Sequence, residues 1–192
     1  MNEVSIPRSA GILTVLVVLL VALTASVAFA ATISCPNRAD NLCVGTNGPD
    51  DMQGSDENDV MRGFGGNDTV VAGLGNDTAH GGDGNDRLEG RIGNDFLSGG
   101  EGADVLVTAD GEDEAYGAGG NDTIRAYRDD QPDFISCGEG DADTADVQSG
   151  DYVDGERAGL LVGTTVTSCE KVIVNGLVVV DRTGNTPSAN TP

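Results

Sequence analysis

Residues 45–125 read GTNGPDDMQ, GSDENDVMR, GFGGNDTVV, AGLGNDTAH, GGDGNDRLE, GRIGNDFLS, GGEGADVLV, TADGEDEAY and GAGGNDTIR, nine lines of nine residues without a gap. The sixth column is Asp in every line: Asp50, Asp59, Asp68, Asp77, Asp86, Asp95, Asp104, Asp113 and Asp122. The fourth is Gly in every line but the second, where Glu57 stands, and the fifth is most often Asn. The eighth is always apolar: Met52, Met61, Val70, Ala79, Leu88, Leu97, Leu106, Ala115 and Ile124.

Glycines at columns one and four, with Asn at column five, let the backbone take positive φ and turn tightly. The last three columns, one apolar residue between two variable ones, make a minimal strand with one side chain facing in. Turn, short strand, turn, short strand is a solenoid, and such a unit buries its apolar column only by stacking on its neighbours. A disordered acidic segment would share the Gly/Asp/Asn richness and the chain's net charge of −22. It would need neither a fixed register nor an apolar eighth column.

The pattern these lines repeat, G-G-x-G-x-D-x-U-x, resembles the glycine- and aspartate-rich repeat of the RTX, or haemolysin-type, calcium-binding proteins. The resemblance implies an all-β fold: a parallel β-roll, a right-handed β-helix-like solenoid in which two nonapeptides complete one coil. It further implies calcium ions between successive turns of one edge, held by the column-six Asp of two stacked turns and by backbone carbonyls of the glycine-rich loops. The carbonyls so implied are those of Gly66, Gly75, Gly84, Gly93, Gly102, Gly111 and Gly120. Lines two apart would share an edge. Asp50, Asp68, Asp86, Asp104 and Asp122 would then enclose four sites and Asp59, Asp77, Asp95 and Asp113 three, up to about seven ions. Glu57 in column four, Thr108-Ala109 in place of Gly-Gly, and Pro49 beside Asp50 weaken their own sites.

Ligand hardness points the same way. Calcium takes about six to eight oxygens, from carboxylates and carbonyls, in a tolerant geometry. Magnesium demands stricter octahedral order and keeps its waters. Zinc wants His or Cys, and the roll holds His80 and no Cys. Between Gly45 and Arg125 stand eighteen acids and four arginines, a net charge of −14. Small core residues cannot offset roughly 1–2 kcal/mol of backbone entropy per residue while stacked carboxylates repel. The roll is therefore expected to be largely unfolded without calcium, ion binding supplying the folding free energy.

Residues 1–30 read as a secretory leader: Arg8 and the amino terminus outweigh Glu3, Ile12 to Leu23 is an apolar core, and Ala28-Phe29-Ala30 is a small-x-small cleavage site. The mature chain would begin at Ala31 and be secreted. An uncleaved leader would instead be a membrane anchor, since Ala10 to Thr32 is just long enough to span. Lipidation at Cys35 would need a better lead-in than Thr32-Ile33-Ser34. Residues 31–44 are the expected N-terminal cap. Cys35 and Cys43 precede the repeats, and Cys137 and Cys169 follow them. Four cysteines in an exported chain suggest two disulfides, with three connectivities open. Cys35–Cys43 and Cys137–Cys169 would staple one end of the roll each. A zinc site competes, without any C-x-x-C or nearby His.

After Arg125 the period slips. Asp133-Phe134-Ile135-Ser136 keeps the D-x-U-x half of a repeat, and Cys137 to Asp143 is a frayed further copy. Residues 126–181 read as a degenerate last coil and a C-terminal cap. Within it, Lys171–Val174 and Leu177–Val180 flank Asn175-Gly176, a strong two-residue hairpin signal. Such a hairpin would cover the open edge of the roll, or offer an adhesive one. The tail, 182–192, is expected to be disordered.

The function classes narrow accordingly. Fourteen residues, Ala31 to Val44, precede the roll in the expected mature chain, and there is no H-E-x-x-H or G-x-S-x-G. His80 stands in the variable ninth column with no motif partner, so no catalytic residue and no enzyme activity are expected. Asn67, Asn76 and Asn121 match glycosylation sequons as by-products of the N-D-x columns. No EF-hand loop is present, and the acidic charge excludes nucleic acid. What is left is a secreted calcium-binding module, structural or interacting. Its partner would be a cell-surface polymer or a separately encoded secreted hydrolase, its oligomeric state open. A flat-face binder of polysaccharide or ice is the alternative, although columns two, seven and nine show no regular ladder.

Overall fold

Each strand of the repeat region pairs in parallel with the strand one coil away in sequence, typically eighteen residues, as Val60 with Thr78 and Thr69 with Arg87. The computed structural model describes residues 30–35, 41–126, 129, 131–140, 142–154, 156–157 and 168–181. The expected leader, apart from Ala30, lies outside the described residues, as do the tail 182–192 and residues 158–167 of the expected C-terminal cap.

Alternate strands enter two sheets. One runs, in spatial order, β1 (Ala31–Ser34), β3 (Asp50–Gln53), β5 (Thr69–Leu74), β7 (Arg87–Ile92), β9 (Val105–Val107), β11 (Thr123–Arg125), β13 (Thr144–Val147), β16 (Lys171–Val174) and β17 (Leu177–Asp181). The other runs β2 (Leu42–Val44), β4 (Val60–Gly65), β6 (Thr78–Asp83), β8 (Phe96–Glu101), β10 (Glu114–Gly119), β12 (Phe134–Glu139), β14 (Tyr152–Val153) and β15 (Glu156–Arg157). The fold is the expected all-β parallel roll, two nonapeptides to a coil.

The eighth column is the core. Met52, Val70, Leu88, Leu106 and Ile124 stack in register from one sheet, Met61, Ala79, Leu97 and Ala115 from the other, and all are fully buried. Ile135, Ala145, Val153 and Val172 continue both rows past the ninth repeat.

The strands are longer than the three residues that the apolar column implied. Most cover six, columns seven to nine and then one to three of the next line. The glycine-rich columns keep bonding to the next coil: Gly66 N–H donates to the Asp83 carbonyl at 2.8 Å and Gly84 N–H to that of Glu101 at 2.7 Å. The turn proper shrinks to columns four to six. Its first residue is glycine at φ between 109° and 148° in Gly66, Gly75, Gly84, Gly93, Gly102, Gly111 and Gly120, a conformation that other residues adopt at a cost.

Both ends are cross-linked between the sheets. Cys35–Cys43 ties the end of β1 to β2, and Cys137–Cys169 ties β12 to the start of β16. The two other connectivities and a zinc site are thereby excluded. The hairpin expected at Asn175-Gly176 is present: β16 and β17 run antiparallel, with φ of 51° at Asn175 and 78° at Gly176, as a type I′ turn requires. It closes one sheet, and antiparallel β15 closes the other.

The two disulfides span 8 and 32 residues. Loop-closure entropy grows with the logarithm of span, so replacing Cys137 and Cys169 by Ser should destabilise the calcium-loaded chain by about 1 kcal/mol more than replacing Cys35 and Cys43. Denaturant midpoints of the two double variants measure the difference.

Candidate metal centre

The column-six aspartates form two ladders, one on each edge of the roll. On one, Asp50 N–H donates to Asp68 Oδ1 at 2.8 Å, Asp68 to Asp86 at 2.8 Å, Asp86 to Asp104 at 2.7 Å and Asp104 to Asp122 at 2.9 Å. On the other, Asp59 donates to Asp77 at 2.7 Å, Asp77 to Asp95 at 2.8 Å and Asp95 to Asp113 at 2.8 Å. All nine carboxylates are 0–4% exposed. A parallel strand pair brings the same column of successive coils together, so one invariant residue type makes a continuous row.

The ladders run further than the regular repeat. Asp113 N–H donates to Asp133 Oδ1 at 3.0 Å, and Asp133 to Asp151 at 3.2 Å. Asp122 donates to Asp143 at 2.7 Å, and Asp143 to Glu170 Oε2 at 2.8 Å. Asp133 opens the D-x-U-x remnant of the sequence, and Asp143 ends the frayed further copy. Asp151 and Glu170 carried no such signal. At the other end, Ala31 N–H donates to Asp50 Oδ1 at 3.0 Å. A second, outer ladder was not expected: column-five Asn67 and Asn76 accept from the N–H of Asn85 and Asn94, each at 3.0 Å.

The second carboxylate oxygen is the exceptional feature. Oδ2 of Asp68, Asp77, Asp86, Asp95, Asp104 and Asp122 is buried without a hydrogen-bond partner. A buried anionic oxygen left in that state is strongly unfavourable. Where it points is fixed by column one. A Cβ placed on Gly63 would meet Asp68 Oδ2 at 2.1 Å and the Gly81 carbonyl oxygen at 2.5 Å. On Gly81 it would meet Asp86 Oδ2 at 2.2 Å and the Gly99 oxygen at 2.7 Å, and on Gly99 Asp104 Oδ2 at 2.3 Å and the Gly117 oxygen at 2.8 Å. On this edge the glycine thus leaves a cradle in which a carboxylate oxygen and a main-chain carbonyl from the next coil converge. On the other edge column one is Ala72 in the Asp77 line and Gly90, whose Cβ would meet Asp95 Oδ2 at 2.5 Å, in the Asp95 line. The column-four carbonyl oxygens of Gly66, Gly84 and Gly102 lie 1.9–2.0 Å from where a Cβ on Gly84, Gly102 and Gly120 would stand.

Burial is the main cause of the unusual acidities. It pushes Asp68, Asp77 and Asp122 up to about 6, Asp95 and Asp104 to about 7 and Asp133 to about 8. Asp86, Asp113 and Asp151 are raised for the same reason. The hydrogen bond from the preceding coil pulls each of them down, and neighbouring carboxylates push up again. Column-nine His80 packs instead on Phe96 on the outer face, with ring centroids 5.6 Å apart.

A hard cation fits this donor set. The unpartnered atoms are all oxygens and anionic, and carbonyls lie beside them. Among the described residues no three His, Cys, Asp or Glu side chains converge as a metal cluster, so a cation would draw on main-chain oxygen, as calcium does and zinc does not.

The family described as the RTX calcium-binding nonapeptide repeat (4 copies) matches residues 44–79, 80–115 and 107–130. Repeats of this family bind calcium, and the turns of Asp50 to Asp122 lie inside the matched segments, while Asp133, Asp143, Asp151 and Glu170 lie beyond them. No curated protein and no solved structure matches the chain.

Raised carboxylate pKa values set the pH response of the metal-free roll. The folded state then binds more protons than the unfolded one between about pH 4 and pH 8, so stability is greatest at the acid end and is lost as pH rises through the folded values. EDTA-treated protein should gain strand signal and melting temperature on acidification across that window. With saturating calcium the trend should reverse, because protons compete with the ion. Thermal melts followed by circular dichroism at both ends of the window, with and without calcium, check both signs.

Proposed function

Because this chain is, over residues 44–130, an RTX-type calcium-binding repeat protein, we propose that it is a secreted, non-catalytic module that folds on binding several calcium ions. It works as a structural or interaction element at or outside the cell surface. The observation that carries this reading is the row of buried, unpartnered Oδ2 atoms at successive coil junctions. Ionised and uncompensated, they oppose the fold; bound to calcium, they link each coil to the next. Column-six aspartates with an unpartnered Oδ2 supply the side-chain ligands in this reading, and glycine-loop carbonyls supply the rest.

Two further features support a place outside the cell. Both cysteine pairs are disulfides, which persist in oxidising compartments. Extracellular calcium modules work at about 10⁻⁴–10⁻³ M, a concentration met outside the cytosol. A chain that folds only there stays unfolded during export. The partner is a cell-surface polymer or a separately encoded secreted enzyme.

A second reading, a polymer-binding face, has one specific observation in its favour. Phe96, Tyr116, Phe134 and Tyr152 line the outer surface of a single sheet, with Phe96–Tyr116 centroids 5.3 Å apart and Phe134–Tyr152 stacked at 5.0 Å. Columns seven and nine both contribute, which hides the row in the sequence. Glu114 and Ser136 sit among the rings. Retention of the calcium-loaded chain on insoluble neutral polysaccharide, lost in Tyr116→Ala/Phe134→Ala, would carry this reading; equal retention of both would remove it.

Far-UV circular dichroism of residues 31–192 after EDTA treatment tests the primary reading. A coil-like spectrum should turn strand-like as calcium reaches about 10⁻⁴–10⁻³ M and not with magnesium. A spectrum strand-like from the start and indifferent to calcium at neutral pH would overturn calcium-coupled folding.

A further inference from the structure

The nine turns fall into two kinds. In the lines of Asp68, Asp77, Asp86, Asp95, Asp104 and Asp122 the column-two residue has a left-handed backbone: Phe64 at φ 77°, Gly73 at 121°, Gly82 at 121°, Arg91 at 85°, Gly100 at 121° and Ala118 at 83°. These are the same six lines whose Oδ2 is buried and unpartnered. In the other three lines column two is Thr46, Ser55 or Ala109, none at positive φ. There its own N–H turns inward and donates to the column-six carboxylate: Thr46 to Asp50 Oδ2 at 2.6 Å, Ser55 to Asp59 Oδ2 at 2.6 Å and Ala109 to Asp113 Oδ2 at 3.2 Å. The Thr46 and Ser55 hydroxyls add a second donor to the same oxygens.

We infer that calcium enters only the six turns with a left-handed second column, four on one edge and two on the other, and that the turns of Asp50, Asp59 and Asp113 close on themselves without an ion. This rests on the calcium-folded reading above and says which turns carry it. The chemistry is a competition for one oxygen. A main-chain N–H that already donates to Oδ2 occupies the position that a cation needs, and brings the positive end of its dipole with it. A turn whose N–H faces away leaves that oxygen bare, and at Asp68, Asp86, Asp104 and Asp122 it lies beside a carbonyl of the next coil. Two of the closed turns carry a hydroxyl residue in column two, Thr46 and Ser55, and the third has Thr108-Ala109 in columns one and two, whereas the open turns depart from glycine at Ala72, Phe64, Arg91 and Ala118 without a hydroxyl. Thr108 moreover donates its own hydroxyl to Asp133 Oδ2 at 3.0 Å, so the next turn on that edge is satisfied as well. The edge of Asp59 therefore holds its ions at Asp77 and Asp95, between two closed turns.

Calcium bound per folded chain, counted by native mass spectrometry of residues 31–192, tests the assignment. Asp→Asn keeps the Oδ1 acceptor of the ladder and replaces Oδ2 by an NH₂ group, which repels a cation. Asp86→Asn and Asp95→Asn should each bind one ion fewer than the parent, while Asp50→Asn and Asp113→Asn should bind as many as the parent. The double variant Thr108→Gly/Ala109→Gly, which restores the pattern of the other lines, should gain one. Loss of an ion in Asp113→Asn, no loss in Asp95→Asn, or no gain in the double variant would overturn the inference. A parent chain that binds no calcium would overturn the function proposed above as well, whereas a parent that loads calcium while Asp113→Asn loses an ion leaves that function standing.

Discussion

One hydrogen bond, repeated at every coil, organises this molecule: the N–H of a column-six Asp donating to Oδ1 of the Asp one coil later. It holds the carboxylate inside the roll and aligns successive coils. It also uses one oxygen and commits the other to a fixed direction. The core beside it is one residue deep, a row of Met, Val, Leu, Ala and Ile side chains between two sheets. A solenoid of this kind is stabilised by contacts between neighbouring coils only. Every junction must therefore be favourable by itself, and every junction here stacks one carboxylate on another. Repulsion recurs at the spacing at which stability has to be gained. A divalent cation at the junction removes the repulsion where it arises, and few other groups could, since the described ion pairs, Arg87 and Arg91 with Glu89, lie on the outer surface.

The ends are built differently because they have a neighbour on one side only. Covalent links replace ionic ones: each disulfide joins the two sheets across the terminal coil. At the C-terminal end antiparallel β15 and β17 interrupt the parallel stacking, which leaves no free edge of the same direction to be extended. At the N-terminal end the first two turns carry Thr46 and Ser55, whose N–H and hydroxyl groups donate directly to Oδ2 of Asp50 and Asp59, while Asp59 Oδ1 is buried without a partner.

Columns four, six and eight were legible in the sequence because each is set by a local requirement that one residue type meets: positive φ, an acidic acceptor, an apolar side chain. Column one was read correctly as glycine but for an incomplete reason. At Gly63, Gly81 and Gly99 the residue also has to leave room for the carboxylate and the carbonyl of the next coil, a constraint that exists only after stacking. The strands looked shorter than they are because backbone hydrogen bonds in the glycine columns leave no hydrophobic trace. Asp151 and Glu170 were invisible as ladder members because the insertions after Arg125 break the nine-residue count while the three-dimensional register recovers. The aromatic row escaped notice since its members alternate between two columns and lie across the slip.

Phe64, Arg91 and Ala118 show that the choice between an open and a closed turn is not made by one residue alone. A left-handed backbone costs a non-glycine residue roughly 1–3 kcal/mol, and Ala109, chemically the same as Ala118, avoids it. The difference lies in the neighbouring coils. Phe64 is in register with left-handed Gly82, Arg91 with left-handed Gly73, and Ala118 lies between Gly100 and Gly138, both left-handed. A left-handed residue in register favours the same bend without compelling it: Ser55 and Ala109 stack on left-handed Gly73 and Arg91 yet are not left-handed, and the hydrogen bonds from Leu74 N–H to the Ser55 carbonyl at 3.1 Å and from Asp110 N–H to the Arg91 carbonyl at 2.8 Å persist. Ala109 follows Thr108 rather than a glycine, and the coil stacked after it has slipped by two residues, as the pairing of Glu114 with Phe134 shows. Thr46 and Ser55 lie at the end of the stack, with hydroxyls that stabilise the closed form. Whether a turn is open or closed thus depends on its neighbours in the stack as well as on its own column-two residue.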